Sequence, residues 1–442
     1  MSPPLDRISS DDRLPEAADV VVIGAGIVGV CAAYELACKG RSVALLEKGL
    51  VGAEQSSRNW GWCRQQGRDR HEIPLARASL QRWEELQAET GSDLGFRRTG
   101  VLWVTKDSAE LATWTRWAEF ARGIQVHSQV LSATEVRALI PGTTEAWIGG
   151  LHTPSDGRAE PSMAAPAIAA AARRLGVTLH QGCAARGIET KAGRVDAVVT
   201  EKGRIRTQAV VLAGGAWSSL FCGRHGIPLP LAMVKATAFA TAPAPEVWAG
   251  ALGTPGTCIR RREDGGYTVA LRGQGTVDLT PQDLRFARAF WPTWKQRRRG
   301  LKMRIGKPFL DGLRWSRGWS FDAVTPFEEM RVLDPAPDPD LVARGLAELR
   351  AAWPNLAEAE VAHAWGGSID STPDAVPVIS AVPQMAGLVL AAGFSGHGFG
   401  IGPGAGRLAA DLVCGDAPVV DPHPYRYARL FAGDRLAPAG AL

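Results

Sequence analysis

The stretch Ala18-Asp-Val-Val-Val-Ile-Gly-Ala-Gly-Ile-Val-Gly-Val-Cys-Ala-Ala-Tyr-Glu-Leu-Ala-Cys-Lys-Gly-Arg-Ser-Val-Ala-Leu-Leu-Glu47 decides the fold of this chain. Val20 to Ile23 is a short β-branched run, typical of a buried strand in a parallel sheet. A helix is predicted from about Ile27 to Lys39, because Gly40 follows it as a C-terminal glycine does. A second apolar run, Ser42 to Leu46, predicts the next strand. The stretch is therefore a strand–helix–strand unit.

The glycines between the first strand and the helix have the spacing G-x-G-x-x-G, at Gly24, Gly26 and Gly29. In this position they permit a tight turn, close approach of backbone to a pyrophosphate, and close packing of helix on strand. Glu47 ends the second strand, about twenty positions later, where a carboxylate accepts hydrogen bonds from a ribose. A strand–helix unit without a ligand and a membrane span are the alternatives. The flanking strand, helix and acid together favour a dinucleotide site.

Composition limits the class of protein. A length of 442 residues favours two domains, and 45% apolar with 21% charged residues is typical of a soluble globular protein. The formal charge of +5 is mild, and we interpret the basic segment 291–307 as a solvated face, so no nucleic-acid partner is predicted. Residues 1–17 are rich in Pro, Ser and Asp and predict a disordered lead-in.

The cysteines bear on location and on metal binding. Their number is seven, which is odd, and none has C-x-x-C spacing. This pattern indicates reduced thiols in a cytoplasmic protein and no metal site. Peripheral attachment to the inner membrane is left open.

A loop rich in glycine and small polar residues follows Glu47, from Gly52 to Gly67. A loop that arrives just after the ribose-binding strand can lie along a bound cofactor. Ser56, Ser57, Arg58 and Asn59 offer hydrogen-bond donors there. The alternative is a structural loop.

Two later stretches also combine an apolar strand with glycines. Residues 209–218 run from Ala-Val-Val-Leu into Gly214 and Gly215, where backbone can pass close to a ligand. Residues 393–406 hold a glycine series that leads into a helix predicted from Ala405 to Val413, whose N-terminus would stabilise negative charge. Three glycine-rich crossings of one sheet indicate a large, extended cofactor.

Between these crossings the chain reads as a different region. Residues 95–105 alternate like a strand, and Ser132 with Glu135 has the spacing of a capping box. Strands are predicted at 228–241, 258–262 and 266–271. The fold class predicted is α/β (α+β overall), with a Rossmann-like cofactor domain and a second, mostly antiparallel β-sheet domain.

At these residues the chain resembles the FAD-dependent superfamily of D-amino-acid oxidase, glycine oxidase and sarcosine oxidase. It is most similar to D-amino-acid dehydrogenase-like and opine-oxidase-like members. The resemblance extends from Asp19 to about Gly415. The motifs that carry it, besides the first glycines and Glu47, are Ser57-Arg-Asn59, Ala213-Gly-Gly-Ala-Trp217, Trp365-Gly-Gly367, Thr372-Pro-Asp374, Gly396-His-Gly-Phe399 and Gly402-Pro403.

The resemblance implies FAD as cofactor and a hydride transferred to flavin from the carbon that bears an amine. The substrate implied is a D-amino acid, an N-alkyl amino acid or an opine. It also implies a discontinuous FAD-binding domain at 18–94, 146–228 and 350–442, and a substrate domain at 95–145 and 229–349. The cofactor-binding residues expected are Gly24, Gly26, Ile27, Val28, Gly29, Glu47, Lys48, Ser56, Ser57, Arg58, Asn59, Gly61, Gly214, Gly215, Trp217, Gly393, Gly396, His397, Gly398, Phe399 and Gly400.

The chain departs from its relatives at two positions. Relatives with a covalent flavin carry a cysteine seven residues before the Asp of T-P-D, where this chain has Gly367, which leaves Cys63 as the cysteine to test. D-amino-acid dehydrogenases carry a carboxylate-binding arginine where this chain has Ile369 and Asp370. If Asp370 faces the substrate it favours a cationic amine; the alternative is that it faces outward or caps a turn before Pro373.

Other side chains must then meet the substrate. The candidates for a substrate carboxylate are Arg64, Arg260, Arg261 and Arg272. The residues expected to be catalytic are His397, Arg64, Arg260 and Asp370, although His397 could instead satisfy backbone groups.

Three functions remain open at this point. The first is oxidation of the C–N bond of an amino acid or secondary amine. The others are FAD-dependent oxidation of a 2-hydroxy acid, and a flavin-binding subunit that is inactive alone. The electron acceptor, oxygen or a quinone, and a homo- or hetero-oligomeric state are left open.

Overall fold

The structure is a computed structural model and describes residues 3–432. A six-stranded sheet contains the first glycine motif, and its core is parallel. The last strand of this sheet along the chain is Leu388–Ala392. It precedes the apolar helix Gly402–Cys414, which packs against the first helix, Ile27–Cys38. The strands of this sheet, in spatial order, are Val378–Ala381, Leu388–Ala392, Ala209–Leu212, Val20–Ile23, Val43–Leu46 and Thr178–His180.

The second large sheet has ten strands, and most of its strand pairs are antiparallel. Its longest pair joins Ala232–Thr241 to Val361–Ser371. The strands of this sheet are Leu301–Arg304, Gly275–Asp278, Ala232–Thr241, Tyr267–Leu271, Thr257–Arg261, Ala251–Gly253, Val101–Thr105, Gly149–Thr153 and Gln129–Ser132, with Val361–Ser371 beside Ala232–Thr241.

Two small sheets complete the strands. One is antiparallel and contains Ala185–Lys191, Arg194–Thr200 and Gly203–Arg206. The other pairs Trp62–Cys63 with Gly157–Arg158.

The α-helices pack on both sheets. Their bounds are Ile27–Cys38, Gln55–Arg58, Ile73–Thr90, Ser108–Gly123, Ala133–Leu139, Pro161–Arg174, Ser218–Arg224, Pro281–Arg297, Lys307–Trp315, Pro326–Glu329, Pro339–Ala352 and Gly402–Cys414. Short 3-10 helices are Gly215–Trp217, Pro354–Leu356, His423–Tyr425 and Tyr427–Leu430. Within residues 3–432, no helix combines the length and apolar character that crossing a bilayer requires.

The predicted fold class is confirmed, and so are several local predictions. The first helix begins at Ile27 as predicted, and the capping box of Ser132 and Glu135 is present, with both reciprocal hydrogen bonds. The sequence signals for these features lie within a few residues of each other, which is why they could be read directly.

The amino-terminal segment differs from its prediction. Where a disordered lead-in was expected, residues 3–17 lie against the edge of the six-stranded sheet. The backbone N–H of Asp11 donates to Leu179 (2.7 Å), and its carboxylate pairs with Arg173 (2.6 Å). These long-range partners order a stretch whose composition favours disorder.

The sheets also place two stretches differently from the predicted domain bounds. Gly149–Thr153 and Val361–Ser371 were expected in the cofactor domain, but both pair within the ten-stranded sheet. The second of these strands then returns directly to the six-stranded sheet, because Ser371 forms a bridge with Phe394. We call Val361–Ser371 the joining strand, because it belongs to the ten-stranded sheet and its end contacts Phe394, two residues after strand Leu388–Ala392 of the six-stranded sheet.

Candidate active site

A cavity opens at the carboxyl ends of the parallel strands, and we call it the cofactor cavity. Residues from all three glycine-rich crossings line it, together with the strand that joins the sheets. The predicted cofactor residues that line it are Gly24, Gly26, Ile27, Val28, Glu47, Lys48, Ser56, Asn59, Gly214, Gly215, Trp217, Gly396, Gly398 and Phe399.

Glycines, which have no Cβ, give the cofactor cavity its shape. Gly24 has φ +100°, and a Cβ there would lie 2.5 Å from the Ala213 carbonyl oxygen. A Cβ at Gly29 would lie 1.9 Å from the Gly24 carbonyl oxygen, so the helix can approach the strand only with glycine there. A Cβ at Gly215 would meet nothing within 4 Å, which leaves open space toward the cavity. Such a glycine-walled space fits a pyrophosphate at a helix N-terminus.

The loop after the second strand covers the N-terminus of the first helix. The Ile27 N–H donates to Ser56 Oγ (2.9 Å). Asn59 Nδ2 in turn donates to the Ser56 carbonyl oxygen (2.7 Å), and Asn59 Oδ1 accepts the Gly61 N–H (2.7 Å). This loop therefore holds a hydroxyl and an amide beside backbone donors suited to phosphate oxygens.

Glu47 occupies the strand end that the sequence predicted. Its carboxylate accepts the backbone N–H groups of Ala25 (2.9 Å) and Gly49 (2.7 Å). Burial raises the pKa of Glu47, although the charge of Lys48 opposes the change. The carboxylate thus ties the glycine turn to the end of the second strand, next to the space that a ribose would occupy.

Lys48 and Trp217 line the cavity, but their polar groups already have partners. Lys48 Nζ lies 2.5 Å from Glu54 Oε1 and 4.5 Å from the centre of the Trp217 ring. Trp217 Nε1 donates to Glu54 (3.1 Å). We therefore expect these two residues to form the wall by packing, and Glu54 to hold them in place.

The remaining predicted cofactor residues do not line the cavity. Arg58 is buried, and its Nη1 donates to the Gly366 carbonyl oxygen (2.8 Å) and to Asp334 (2.6 Å), so it fastens the loop to the joining strand. The predicted cofactor residues that are not part of the cavity lining are Gly29, Ser57, Arg58, Gly61, Gly393, His397 and Gly400.

Several lining residues carry no sequence signal for a cofactor. Cys183 and Ala185 reach the cavity because the Cys183 N–H donates to the Glu47 carbonyl oxygen (2.9 Å), 136 positions away by number. Phe327 and Ser368 arrive through tertiary packing. The contact at 183 uses the backbone of Glu47, so no side-chain pattern in the sequence points to it.

Three side chains, His397, Glu72 and Arg68, form a cluster at the carboxy-terminal glycine loop. His397 Nδ1 lies 3.1 Å from Glu72 Oε2, and Glu72 Oε1 lies 3.7 Å from Arg68 Nε. Burial, aided by the charge of Arg68, lowers the pKa of His397, so the imidazole is neutral. Burial alone would raise the pKa of Glu72, but the charges of Arg68 and Arg64 and the hydrogen bond with His397 lower it, so Glu72 is ionised. The carboxylate then accepts the Nδ1 proton, and Nε2 is left as a hydrogen-bond acceptor.

The four candidate arginines differ in whether a carboxylate pairs with them. Arg260 is fully buried and pairs with Glu160 (2.5 Å), so it does not fit the expected role at the substrate. Arg272 pairs with Glu110 (2.8 Å), and Arg261 lies 3.8 Å from Glu246.

Arg64 is different from the other three. It is half-buried, its guanidinium lies 5.9 Å from the Trp62 ring centre and 5.8 Å from that of Trp103, and it donates to the Gln66 carbonyl oxygen. Burial, with the charge of Arg68, lowers its pKa to about 9, so it stays cationic at neutral pH. No carboxylate among residues 3–432 lies at ion-pair distance from it. Its charge also contributes to the lowered pKa of His397.

Asp370 lines the cavity and holds the glycine loop at the same time. Its Oδ2 accepts the Gly393 N–H (2.7 Å), and its carbonyl oxygen accepts the Ser395 N–H (2.8 Å). Burial raises the pKa of Asp370 to about 6, although the Gly393 N–H opposes the change. The carboxylate of Asp370 therefore binds the glycine loop at Gly393, which is not the turn before Pro373 weighed from the sequence, and a preference for cationic substrates stays a prediction.

Two positions bear on covalent attachment of the flavin to a cysteine: Gly367 and Cys63. A Cβ at Gly367 would lie 2.6 Å from Gln55 Oε1 and 3.2 Å from Arg58 Cβ, so a cysteine there would require Gln55 to move and the Arg58 backbone to shift slightly. Cys63 is buried in the short strand that pairs with Gly157, and burial raises the pKa of its thiol. No metal-binding group of His, Cys, Asp or Glu is found within residues 3–432.

The six-stranded sheet, its glycine-lined cavity and the adjoining antiparallel sheet are the features of an oxidoreductase that binds a dinucleotide. The chain belongs to the family described as FAD dependent oxidoreductase, which matches residues 19–412. It is an enzyme of the amino-acid or amine oxidase type, and its cofactor is FAD.

Relatives of known activity match along nearly the whole chain. Glycine oxidase of Geobacillus kaustophilus is 27% identical, over 93% of this chain and 97% of its own length. Mitochondrial sarcosine dehydrogenase of Homo sapiens is 26% identical, over 93% of this chain but only 41% of its own length. Among solved structures, L-amino acid deaminase from Proteus myxofaciens, in complex with anthranilate, superposes with a TM-score of 0.93 at 30% identity, and 97% of each chain is covered.

Proposed function

We propose that this protein oxidises the Cα–N bond of an L-α-amino acid, and that Arg64 binds the substrate carboxylate. The observation that carries the proposal is the guanidinium of Arg64, which is half-buried between Trp62 and Trp103 without a carboxylate at ion-pair distance in residues 3–432. Natural proteins pair buried charges, so a guanidinium without a carboxylate partner favours an anionic ligand. Arg64 is also near enough to the glycine loop for its charge to lower the pKa of His397, and Gly396 and Gly398 of that loop line the cofactor cavity.

The choice of an L-amino acid rests on similarity. L-amino acid deaminase from Proteus myxofaciens superposes with a TM-score of 0.93 at 30% identity, whereas glycine oxidase from Geobacillus kaustophilus superposes with 0.75 at 24%. The higher score and identity support the L-configured substrate over the D-amino acid, N-alkyl amino acid or opine expected from the sequence.

The residues of the chain have separate tasks in this reaction. FAD, when bound, accepts the hydride from Cα. Arg64 orients the substrate through its carboxylate. The neutral Nε2 of His397 accepts the proton that the substrate ammonium must lose before the amine lone pair can assist hydride departure. Glu72 is a positioning residue, because it fixes the tautomer of His397.

The deciding experiment is anaerobic mixing of the FAD-loaded protein with single compounds, read by loss of the visible absorbance of oxidised flavin. The panel contains L-α-amino acids, their D-enantiomers, sarcosine and 2-hydroxy acids. Bleaching by L-amino acids supports the proposal. Bleaching only by D-amino acids, sarcosine or a hydroxy acid overturns it, and no bleaching at all favours the flavin-binding subunit, which size analysis of the natively expressed complex then tests.

The substitution Arg64→Gln tests the carboxylate site. A charge-assisted bidentate hydrogen bond contributes about 3 kcal/mol, so kcat/KM for the amino acid should fall about a hundredfold. The corresponding amine without a carboxylate should be affected far less. Arg204→Gln is the matched control, because Arg204 lies on the surface and pairs with Glu189. An equal loss for both substrates would contradict a role in carboxylate binding.

The substitution His397→Asn tests the proton acceptor. We expect flavin reduction to slow by about a hundredfold while FAD content is unchanged, because general-base catalysis is worth about that much. Stopped-flow absorbance measures the rate. If the rate is unchanged, His397 serves only its backbone neighbours.

A further inference from the structure

One wall of the cofactor cavity is formed by a segment that lies far in the chain from the three glycine-rich crossings. This segment is residues 319–334, between the helices Lys307–Trp315 and Pro339–Ala352, and we call it the cover segment. Its Phe327 is buried and lines the cavity, where the ring centre lies 5.8 Å from that of Trp217. The cover segment is therefore part of the space in which FAD binds.

The backbone of the cover segment lies against the residues that follow the second strand. Lys48 Nζ donates to the carbonyl oxygens of Met330 (2.9 Å) and Arg331 (3.0 Å). A Cβ at Gly49 would overlap the Arg331 carbonyl oxygen, so the two backbones are in direct contact. Glu47, at the end of the second strand, is placed to bind a ribose. The cover segment thus lies at the adenosine end of the cofactor cavity.

Two ion pairs fasten the cover segment to the three-stranded sheet at residues 185–206. Arg331 donates through both Nη atoms to the carboxylate of Glu201, with 2.5 Å between Nη2 and Oε2. Arg186 Nε and Nη2 each lie 2.9 Å from an oxygen of Glu328. Bidentate pairs fix the geometry of both partners and are stronger than single hydrogen bonds. They hold the cover segment in one position beside the cavity.

Glu201 connects the cover segment to another wall of the cavity. Its Oε1 accepts the Ala184 N–H (2.6 Å), and the neighbours of Ala184 in the chain, Cys183 and Ala185, line the cavity. Burial would raise the pKa of Glu201, but the hydrogen bond with Arg331 lowers it, so the carboxylate is ionised. A movement of the cover segment away from the cavity would separate this ion pair.

We propose that the cover segment encloses the adenosine end of FAD and must move before FAD leaves, and that the ion pair of Arg331 and Glu201 keeps it closed. The glycine motif and Glu47 belong to the six-stranded sheet and are present whether or not the cover segment is closed. The task of the cover segment is therefore retention of the cofactor. Arg331 and Glu201 do not line the cavity, so both are positioning residues that act through the cover segment.

The first measurement is the rate at which FAD leaves the FAD-loaded protein after dilution below its Kd, followed by the fluorescence of free flavin. Arg331→Gln and Glu201→Gln each remove one charge, and glutamine at position 201 still offers an acceptor to the Ala184 N–H. We expect about tenfold faster dissociation in each, because charge-assisted hydrogen bonds contribute enough for a change of this size. An unchanged rate in both variants overturns the proposal.

The double variant and a surface control show whether the pair itself is responsible. Arg331→Gln with Glu201→Gln should release FAD no faster than either single variant, because both substitutions break the same pair. Arg204→Gln, which breaks an exposed ion pair on the same three-stranded sheet, should leave the rate unchanged. Additive effects of the two substitutions, or an equal effect of Arg204→Gln, would contradict the proposal.

The second measurement is hydrogen exchange of the FAD-loaded proteins, read by mass spectrometry. Peptides from the cover segment should exchange faster in Arg331→Gln and Glu201→Gln than in the native protein, while peptides from helix Ile27–Cys38 should not change. Association of FAD with the stripped proteins should be no slower in either variant. Faster FAD release without faster exchange in the cover segment, or slower association in both variants, overturns the proposal. Neither measurement uses an amine substrate, so failure of the proposed substrate does not affect the result.

Discussion

Asp156 is a buried carboxylate that organises the loop carrying Arg64. It accepts the backbone N–H groups of Gln65 (2.9 Å) and Gln66 (3.0 Å), and it is 0% exposed. Burial raises its pKa from 3.8 to about 6, although these N–H groups oppose the change. The folded protein thus keeps the proton of Asp156 to a higher pH than the unfolded chain does. The contribution of Asp156 to the free energy of unfolding is therefore lost as the pH rises from about 4 to about 6.

The substitution Asp156→Asn should remove this pH dependence. Between pH 5 and pH 7.5, the free energy of unfolding of the native protein should fall relative to that of the variant by roughly 1–2 kcal/mol. Denaturant unfolding at a series of pH values measures the difference. A constant offset between the two proteins over this range would contradict the raised pKa.

Arg64 and Arg260 show where reading single residues from the sequence reaches its limit. Both looked equally suited to a carboxylate, but Arg260 finds Glu160, exactly one hundred positions earlier in number, and Arg64 finds no carboxylate in the described chain. Gly24 and Glu47 could be predicted because strand, turn and acid follow each other along the chain. Which arginine is unpaired depends on contacts between distant segments, and no local pattern encodes them.

The helix Gly402–Cys414 shows how glycines set the distance between elements. It packs on Ile27–Cys38, the helix that follows the first glycine motif, and a Cβ at Gly406 would lie 2.5 Å from Cys31 Cβ and 2.7 Å from the Ala32 nitrogen. At Gly402 the nearest atoms belong to Ile27, at 2.9 Å. The sequence predicted this helix from its glycines but not the close contact, because the two helices are far apart in the chain.

The substitution Gly406→Ala should therefore destabilise the protein although alanine is the better helix former. Overpacking at a rigid backbone contact costs about 1–3 kcal/mol, which exceeds the gain of up to about 1 kcal/mol in helix propensity. Thermal unfolding measures the change. In Gly123→Ala, where a Cβ meets nothing within 4 Å, the unfolding temperature should be unchanged or raised. Equal behaviour of the two variants would show that the helices can separate at no cost.

At the scale of the whole molecule, the cofactor cavity is the place where both sheets meet. Gly24 and Glu47 belong to the six-stranded sheet, while Ser368 and Asp370 lie on Val361–Ser371 of the ten-stranded sheet. A ligand that contacts both sides binds the folded protein and not the unfolded chain. FAD should therefore stabilise the molecule as a whole through mass action.

The last prediction is that this FAD is removable and that its return restores stability. Position 367 is a glycine, and Cys63 is buried with a raised thiol pKa, so acid precipitation should release FAD into the supernatant. Refolded or mildly stripped protein should then gain about 2.7 kcal/mol when free FAD is a hundredfold above its Kd, seen as a rise in unfolding temperature. Gly26→Val should show no such rise, because the valine side chain would enter the space that a pyrophosphate needs. A Cβ built at Gly26 already lies only 3.0 Å from Ser56 Oγ. Colour that stays with the pellet would instead establish a covalent bond and point to Cys63.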